Sequence, residues 1–363
     1  MTIIIDGHID LAFESLSEKR DYTRPVAEIR HGEPDNLDNQ ATVGWPELQK
    51  GEIGIIFSTI FLNPPDQQTG EMTAGTSYRS ADECHASVST QLDFYHRWQD
   101  QYPDKFQMIL NQSDLKKHMQ RWEKQPVQFP KQTHPVGLII LWEGAEGLRS
   151  FQDLDEYYER GMRIIGPVWG GGRWCGCGSD SKEISFTAEG RELMQVMAEK
   201  GFALDIAHMN TRSANEALDR YEGVILASHC NCSALLKDFP TERHLTDETI
   251  AHLIERDSVM GVLPFNGFMD TYWKSGDPRS KVTLATVANH IDHICQIAGD
   301  SKHAAIGSDS DGGFGFPNIP EEMNDIQDLQ KLEAILLNRG YAPEDVLNIF
   351  HRNWLRLLER ILK

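Results

Sequence analysis

Short apolar runs recur along the chain, and polar stretches with helical periodicity separate them. Short runs that are rich in β-branched residues and bounded by turn residues are typical of buried strands. The predicted strands are residues 2–8, 54–63, 136–143, 163–169, 202–208, 223–229, 259–265 and 303–309. The pattern therefore predicts eight strands.

Helical periodicity occupies several of the intervals between these strands. The predicted helices are residues 188–200, 211–221, 246–256 and 284–298. Strands that alternate with helices form βα units with parallel pairing, and eight such units predict a (β/α)8 TIM barrel. An open Rossmann-like sheet is the alternative, but no G-x-G-x-x-G sequence follows the first strand.

The interval from residue 64 to residue 135 is too long for a single crossover connection. It contains "ADECHASVSTQLDFYHRWQDQ", which predicts one long amphipathic helix. No linker or repeat divides the chain. We therefore predict one barrel domain over residues 1–363, with a helical insertion at about 64–135. Histidines 31, 85, 96, 118 and 134 are expected at solvated positions, because they belong to polar regions.

The charge composition of the chain limits the classes of binding partner that we expect for the protein. The 363 residues include 35 basic and 55 acidic side chains, so the formal net charge is −20. This charge repels phosphate backbones and anionic membrane surfaces, which argues against nucleic-acid and membrane partners. No signal peptide or long apolar span is visible, and six cysteines in such a chain are expected to be reduced thiols. These features predict a cytoplasmic protein.

Polar residues stand where the predicted strands end. The C-terminal ends of barrel strands form the active site in enzymes of this architecture. The polar residues at these ends are His8, Asp10, Glu143, His208, His229 and Asp309. Burying several of them in one cavity without a counter-charge is costly, and two divalent cations bridged by one carboxylate would balance the group.

The pair His8 and Asp10 illustrates the spacing. Residues i and i+2 of an extended segment project to the same side, so both side chains can reach one metal ion. His290 and Asp292 have the same spacing but lie in a helical pattern, where the two side chains diverge. We therefore interpret the second pair as structural.

Several motifs together resemble a known family. "DGHIDL", "WEGAEG", "GMRIIGPVW", "LDIAHMN", "VILASH" and "IGSDSDGG" occur in the order and spacing of the membrane (renal) dipeptidase family. That family is a branch of the amidohydrolase superfamily of metal-dependent (β/α)8 barrels. The resemblance extends over nearly the whole chain and is weakest between residues 64 and 135.

The resemblance implies a binuclear zinc dipeptidase that uses a metal-bridging hydroxide. It implies that His8 and Asp10 bind the first Zn²⁺, that Glu143 bridges both ions, and that His208 and His229 bind the second. Asp309 matches the residue that handles the proton of the nucleophilic water. The substrate would be a small dipeptide, with a D-residue at its C-terminal position as one option, and relatives suggest a homodimer.

Three positions leave alternatives open. Asp311 has the same strand parity as Asp309, so the choice between them rests on the motif. Arg243 falls where the family places an arginine near the substrate carboxylate. Trp169 stands where renal-type members have a histidine that contacts the substrate, and an indole cannot act as an imidazole. An amidohydrolase acting on another amide, lactam or ester is therefore an alternative, and an inactive barrel used for binding is a third.

The glycine-rich stretch "WGGGRWCGCGSD" follows Trp169. It lacks the GK[ST] ending of a phosphate loop. We expect it to form a loop over the barrel mouth, with Arg173 and Trp174 as candidate substrate contacts.

Overall fold

Strands and helices alternate along the chain, as expected for βα units. The computed structural model describes residues 2–34, 39–64, 74–124, 126–179 and 184–363. The strands are β1 Ile4–Ile9, β2 Asn39–Gln40, β3 Ile53–Ile60, β4 Phe106–Met108, β5 Val136–Glu143, β6 Met162–Gly166, β7 Ala203–Asp205, β8 Ile225–Leu226, β9 Met260–Val262, β10 Ala304–Ile306 and β11 Phe316–Pro317. The α-helices are α1 Leu11–Ser17, α2 Val26–His31, α3 Trp45–Lys50, α4 Ala81–Gln101, α5 Gln112–Lys124, α6 Asp153–Glu159, α7 Ala188–Lys200, α8 Thr211–Arg220, α9 Asp247–Glu255, α10 Leu284–Ala298, α11 Lys331–Asn338, α12 Pro343–Leu347 and α13 Asn353–Ile361.

Eight of the strands form a parallel barrel. Their order is β8, β7, β6, β5, β3, β1, β10, β9, and every pairing along this path is parallel. A single parallel bridge between Ala227 and Met260 joins the two ends of the path. This arrangement confirms the (β/α)8 TIM barrel. Each barrel strand lies mainly within its predicted run, but most are shorter because the backbone leaves the ladder before the polar residues at the strand ends.

The helices predicted from periodicity are also present. Helices α7 and α10 have the predicted bounds, and α8 and α9 agree with the predictions to within one residue at each end. Within the interval 64–135, the long helix α4 was predicted correctly. No helix in the described part of the chain is both long and apolar enough to cross a membrane.

The same interval holds a strand that the pattern did not predict. Strand β4 pairs in parallel with residues 136–138 in the first half of β5, and β6 pairs with residues 140–143 in the second half. The expectation of solvated histidines was wrong for His118 and His134, which are 1% and 3% exposed. His118 lies on the buried side of α5, where its Nε2 is 2.8 Å from the carbonyl oxygen of Gly54. Helix α5 packs one side against the barrel. Because most of its residues are polar, the sequence pattern did not indicate that this side is buried.

The C-terminal helix closes the lower end of the barrel, which is the end opposite the polar C-terminal ends of the strands. Trp354 of α13 is fully buried, and its indole N–H donates a 2.8 Å hydrogen bond to the carbonyl of Ile306 on β10. A side chain at Gly7 would place its Cβ 2.7 Å from the Trp354 ring, so glycine is needed there for the close approach. With this end filled by apolar side chains, the polar strand ends face the opposite opening.

Two segments border the upper opening. The connection between β1 and β3 contributes β2, which pairs antiparallel with β11 from the loop after β10. The ladder joins Gln40 to Phe316 and Asn39 to Pro317.

The six cysteines, all in the described part of the chain, are buried thiols, as expected.

Candidate metal centre

Six polar side chains come together at the C-terminal end of the barrel. His8 lies within β1, Asp10 is the N-cap residue of α1, and Glu143 is the last residue of β5. The others follow their strands by three residues: His208 after β7, His229 after β8 and Asp309 after β10. All are buried except His208, whose side chain is 15% exposed.

The ligand atoms of these residues face one another. The Nε2 atom of His8 is 3.5 Å from Asp10 Oδ2, 3.9 Å from Glu143 Oε2 and 3.7 Å from Asp309 Oδ1. On the other side of Glu143, its Oε1 is 2.8 Å from His208 Nε2 and 3.5 Å from His229 Nε2. The Nε2 atoms of His208 and His229 are 2.9 Å apart. Glu143 thus presents one oxygen to each half of the cluster.

These separations fit the edges of a metal coordination shell. Bonds of about 2.1 Å place neighbouring ligand atoms about 3.4 Å apart in a tetrahedral shell and about 2.9 Å apart in an octahedral one. Among the described residues, two groups have ligand atoms within 4.8 Å of one another, namely His8, Glu143 and His229, and His8, Asp10 and Asp309. Asp10 Oδ1 is buried without a hydrogen-bond partner among the described residues. These residues therefore form two overlapping groups that could hold a metal ion, and His8 belongs to both.

The electrostatics of the cluster support the same conclusion. Burial raises the pKa of Asp10, of Glu143 and, most strongly, of Asp309, although the positive charge of His8 opposes each shift. Burial lowers the pKa of His8, but the charges of Glu143 and Asp10 outweigh it and raise that pKa to about 10. Burial lowers the pKa of His208 and of His229 well below the usual value for histidine, and the charges of Arg243 and His8 act in the same direction. Neutral imidazoles are the form of histidine that binds a metal ion.

The structure distinguishes Asp309 from Asp311. Asp309 faces the cluster, with Oδ2 at 4.0 Å from His229 Nε2. Asp311 points away and accepts hydrogen bonds from the backbone N–H and hydroxyl of Thr42, both at 2.6 Å, and from the hydroxyl of Tyr22 at 3.0 Å. Both aspartates have left-handed backbone conformations, with φ of 52° and 63°. This turn directs two carboxylates of equal strand parity to different places.

Arg243 lies beside the histidine pair. Its guanidinium donates a 2.8 Å hydrogen bond to the carbonyl of His229, and its Nη2 is 3.3 Å from His208 Nε2. A third contact runs to the thiol of Cys230 at 3.3 Å. The Nε–H of Arg243 is buried and has no hydrogen-bond partner among the described residues. Arg243 therefore places a positive charge at the edge of the cluster.

Trp169 forms part of the wall of the site beside His208. Its ring packs edge-on against Phe61 with centroids 4.9 Å apart, and its centroid is 6.0 Å from that of His208. A small cleft beside it is lined by Glu143, Glu146 and Trp169, among others. The indole is thus a wall of the site.

Arg173 and Trp174, the candidate substrate contacts in the glycine-rich loop, are placed differently from Trp169. Trp174 is 1% exposed and packs near Phe151, away from solvent. Arg173 donates to the carbonyls of Glu146 and Leu148 and pairs with Glu189 at 2.9 Å. These contacts hold the loop in place, and the structure gives no contact between either residue and the cluster.

Sequence reasoning missed three polar residues directly below the cluster. Asp6, Asp205 and Ser228 are at most 2% exposed and hydrogen-bonded to the strand ends that carry His8 and His229. The available signal was a polar residue inside an otherwise apolar strand, as in "IIDGH", "LDIAH" and "LASH". Such residues are costly to bury unless they are hydrogen-bonded, so each indicates a specific contact.

The second histidine-aspartate pair lies in helix α10, as predicted from its periodicity. The Nδ1 of His290 accepts a 3.0 Å hydrogen bond from the backbone N–H of Cys232. Asp292 accepts a 2.8 Å hydrogen bond from the hydroxyl of Tyr341. The two side chains have separate partners and belong to the packing of α10.

The whole chain matches one family of enzymes. The family model described as membrane dipeptidase (peptidase family M19) matches residues 1–363. An uncharacterised protein from the pqqA 5′ region of Klebsiella pneumoniae is 30% identical over 234 residues, which cover 62% of this chain and 82% of that protein. An uncharacterised dipeptidase of Schizosaccharomyces pombe is 24% identical over 359 residues, covering 98% of this chain and 80% of the relative.

A solved structure has the same fold. A metallopeptidase from Rhodobacter sphaeroides, liganded with a phosphinate mimic of the dipeptide L-Ala-D-Ala, superposes with a TM-score of 0.76. The two chains are 21% identical, and the match covers 99% of this chain and 100% of the other. The likeness shows that the barrel and its surrounding helices are shared.

Proposed function

Because the chain belongs to the membrane dipeptidase family, a family of metal-dependent hydrolases, we propose that it is a two-zinc dipeptidase. The observation that carries this proposal is the convergence of three imidazoles and two further carboxylates around Glu143, whose two oxygens face opposite halves of the cluster. Its substrates would be dipeptides with a free C-terminal carboxylate.

We assign the residues to two metal positions. His8 and Asp10 would hold the first Zn²⁺, His208 and His229 the second, and Glu143 would bridge them. When bound, the two ions supply Lewis acidity, which lowers the pKa of water from 15.7 toward about 7 and polarises the scissile carbonyl. The donor set of imidazole and carboxylate would also accept Mn²⁺ or Co²⁺, so zinc is the proposal that follows from the family.

Asp309 is the proposed proton carrier. Its carboxylate lies beside both His8 and His229, and so adjoins both metal positions. In the proposed reaction Asp309 accepts the proton of the attacking water and returns it to the amine nitrogen of the leaving residue. General acid-base catalysis of this kind typically contributes about 10²–10⁴-fold to the rate.

Arg243 is the proposed anchor for the substrate carboxylate. A guanidinium can bind a carboxylate through two parallel hydrogen bonds, and this one lies next to the second metal position. A carboxylate held so near the scissile bond favours dipeptides over longer peptides. The Rhodobacter sphaeroides protein was solved with an L-Ala-D-Ala mimic, so we include dipeptides with a C-terminal D-residue among the proposed substrates.

Metal content and dipeptide hydrolysis test this proposal together. We expect about two zinc equivalents per chain in protein purified without added metal, and release of free amino acids from a panel of L,L- and L,D-dipeptides. His208→Ala should reduce the zinc content to about one equivalent and abolish turnover. If the wild-type protein neither contains metal nor takes up micromolar zinc, the proposal fails, and the alternative of an inactive barrel used for binding becomes the favoured one.

A second candidate function rests on Trp169. The family's substrate-binding histidine is replaced by an indole, which donates one hydrogen bond but cannot act as an acid or base. An amidohydrolase acting on another small amide, lactam or ester would need no imidazole there. A zinc-loaded protein that hydrolyses such compounds but no dipeptide would support this candidate. Acquisition of dipeptidase activity by Trp169→His would identify the indole as the cause.

A further inference from the structure

We propose that Asp205 and Ser228 form a hydrogen-bond relay that holds His229 in the tautomer and orientation required to bind a metal ion. Asp205 is the last residue of β7, and Ser228 follows β8 and immediately precedes His229. The inference rests on the proposed function, because it takes His229 as a ligand of the second metal position. Both would act as positioning residues, since neither is placed at the reacting atoms.

The contacts form a continuous chain below the cluster. The hydroxyl of Ser228 is 2.5 Å from Asp205 Oδ2 and 2.8 Å from His229 Nδ1. The other carboxylate oxygen of Asp205, Oδ1, accepts hydrogen bonds from the backbone N–H groups of Ser228 at 2.9 Å and Ala207 at 3.0 Å. These two backbone bonds fix the carboxylate and direct its second oxygen at the serine hydroxyl.

The chemistry of the three groups gives the relay a direction. The hydroxyl of Ser228 donates a hydrogen bond to Asp205 Oδ2, and in the proposed relay the Asp205 carboxylate is ionised and only accepts. The serine oxygen is then left as an acceptor for His229, whose Nδ1 must carry a proton. The lone pair of the neutral imidazole therefore resides on Nε2, which faces Glu143 Oε1 at 3.5 Å. That is the form of histidine that binds a metal through Nε2.

A second buried aspartate provides an internal comparison. Asp6 Oδ1 accepts from the backbone N–H groups of His8 at 3.2 Å and Ser308 at 2.7 Å, which repeats the backbone contacts of Asp205. The ring of His8 has no equivalent relay, because its Nδ1 is buried without a hydrogen-bond partner among the described residues. Asp6 is thus matched to Asp205 in burial and backbone bonding, but among the described residues no serine hydroxyl links it to an imidazole nitrogen.

An isosteric substitution tests the direction of the relay. In Asp205→Asn, the two backbone N–H groups require the amide oxygen at the Oδ1 position, so the NH₂ group must face Ser228. The amide then donates to the serine oxygen, and the serine hydroxyl donates to His229 Nδ1. This reversal moves the imidazole proton to Nε2, where it blocks metal binding. Ser228→Ala removes the relay without imposing the wrong tautomer.

Two readouts follow, neither of which is the activity of the loaded enzyme. Zinc affinity of the full-length, chelator-stripped protein would be measured by competition with a chromophoric chelator. We expect the affinity for the ion at the second metal position to fall about 10-fold in Ser228→Ala and about 100-fold or more in Asp205→Asn. The second readout is long-range ¹H–¹⁵N NMR of protein labelled with ¹⁵N-histidine, in which the His229 signals are assigned by their loss in His229→Gln. The spectra should show His229 protonated at Nδ1 in wild type and at Nε2 in Asp205→Asn.

Asp6→Asn is the matched control. It removes the same buried negative charge and should leave the His229 tautomer unchanged. Equal zinc affinities and an Nδ1-protonated His229 in Asp205→Asn would overturn the relay. A weaker affinity in Asp205→Asn than in wild type, but with an unchanged tautomer, would also overturn it and leave Asp205 a purely structural role. Failure of the wild-type protein to bind zinc would instead contradict the proposed function.

Discussion

At the residue scale, the geometry of the site depends on a glycine, which has no side chain, as well as on the residues whose side chains form the cluster. Gly312 lies in the turn after Asp309, and a Cβ added there would be 1.9 Å from Asp309 Oδ1 and 3.0 Å from Asp10 Oδ2. Real atoms cannot approach so closely, so the Asp309 carboxylate would have to move. The position of the proposed proton carrier therefore requires glycine three residues later.

We expect Gly312→Ala to reduce kcat about 100-fold while the protein stays folded, because displacing a reacting group by about 1 Å typically costs that much. Dipeptide hydrolysis and zinc content would be measured on the same preparation. Gly172→Ala is the control, since Gly172 is exposed and a Cβ there would meet nothing closer than 4.0 Å. An unchanged kcat in Gly312→Ala would show that Asp309 is not the proton carrier.

Arg243 provides a second test at this scale. We expect Arg243→Lys to lower kcat/KM for a dipeptide about 100-fold, because an ammonium group cannot make the two parallel bonds of a guanidinium to a carboxylate. The same substitution should have little effect on the dipeptide's C-terminal amide, which has no carboxylate to bind. The ratio of the two kcat/KM values separates lost recognition from damage to the cluster. An equal loss for both substrates would contradict the carboxylate anchor.

At the scale of elements, helix α10 shows how a motif acquires its meaning from secondary structure. His290 is 1% exposed within α10 and accepts a hydrogen bond from the loop that follows β8. Burial, and then the charge of His293, lowers the pKa of His290 to about 4. The same sequence spacing that lies at a strand end in His8 and Asp10 here produces a neutral packing residue.

This pKa predicts an acid-sensitive contribution to stability. Below pH 6.5 an unfolded histidine binds a proton, whereas folded His290 does not until about pH 4, so the free energy of unfolding falls as the pH falls through this window. The shift corresponds to about 3 kcal/mol at pH 4. His290→Gln should therefore become less destabilising, relative to wild type, by about that amount between pH 7 and pH 4.

Urea unfolding of chelator-treated wild type and His290→Gln at several pH values provides the measurement. The difference between the two proteins cancels the titration of groups they share. A difference that does not change with pH would show that His290 binds its proton at the same pH in the folded and unfolded states, which would contradict the lowered pKa.

At the scale of the whole molecule, the candidate metal centre connects segments that are distant in sequence. Its residues lie at or just beyond the C-terminal ends of β1, β5, β7, β8 and β10, so bound ions would link more than half of the barrel strands at one end. The opposite end is closed by Trp354 of helix α13. Metal binding that requires the closed barrel must stabilise the folded state, since the unfolded chain does not bring these ligands together.

We expect removal of the metal by a chelator to lower the melting temperature by about 5 °C or more, and added zinc to restore it. A ligand present at about 1,000 times its Kd stabilises a protein by about 4 kcal/mol, which is consistent with a shift of this size in a large domain. Calorimetry with and without chelator is the measurement, and His208→Ala should show a smaller shift. A melting temperature unaffected by complete metal removal would contradict the proposed linkage of strands.

Local patterns in the sequence determined the architecture and the position of the polar strand ends. Period-two and helical periodicity depend only on neighbouring residues, so the barrel strands, α7, α10 and the long α4 could be predicted. In the same way, the parity of β1 places His8 and Asp10 on one side, and the order of the motifs indicates the family. These properties are local and therefore visible in a single chain.

Only the tertiary structure decided how segments meet. It separated Asp309 from Asp311 through a left-handed turn and placed Arg243 beside His208 across a loop without periodicity. It also buried His118 on one side of the polar helix α5 and joined Asp205 to Ser228 from neighbouring strands. Such contacts depend on strand register and loop path, which are set by packing of the whole barrel and leave no periodic signal in the sequence.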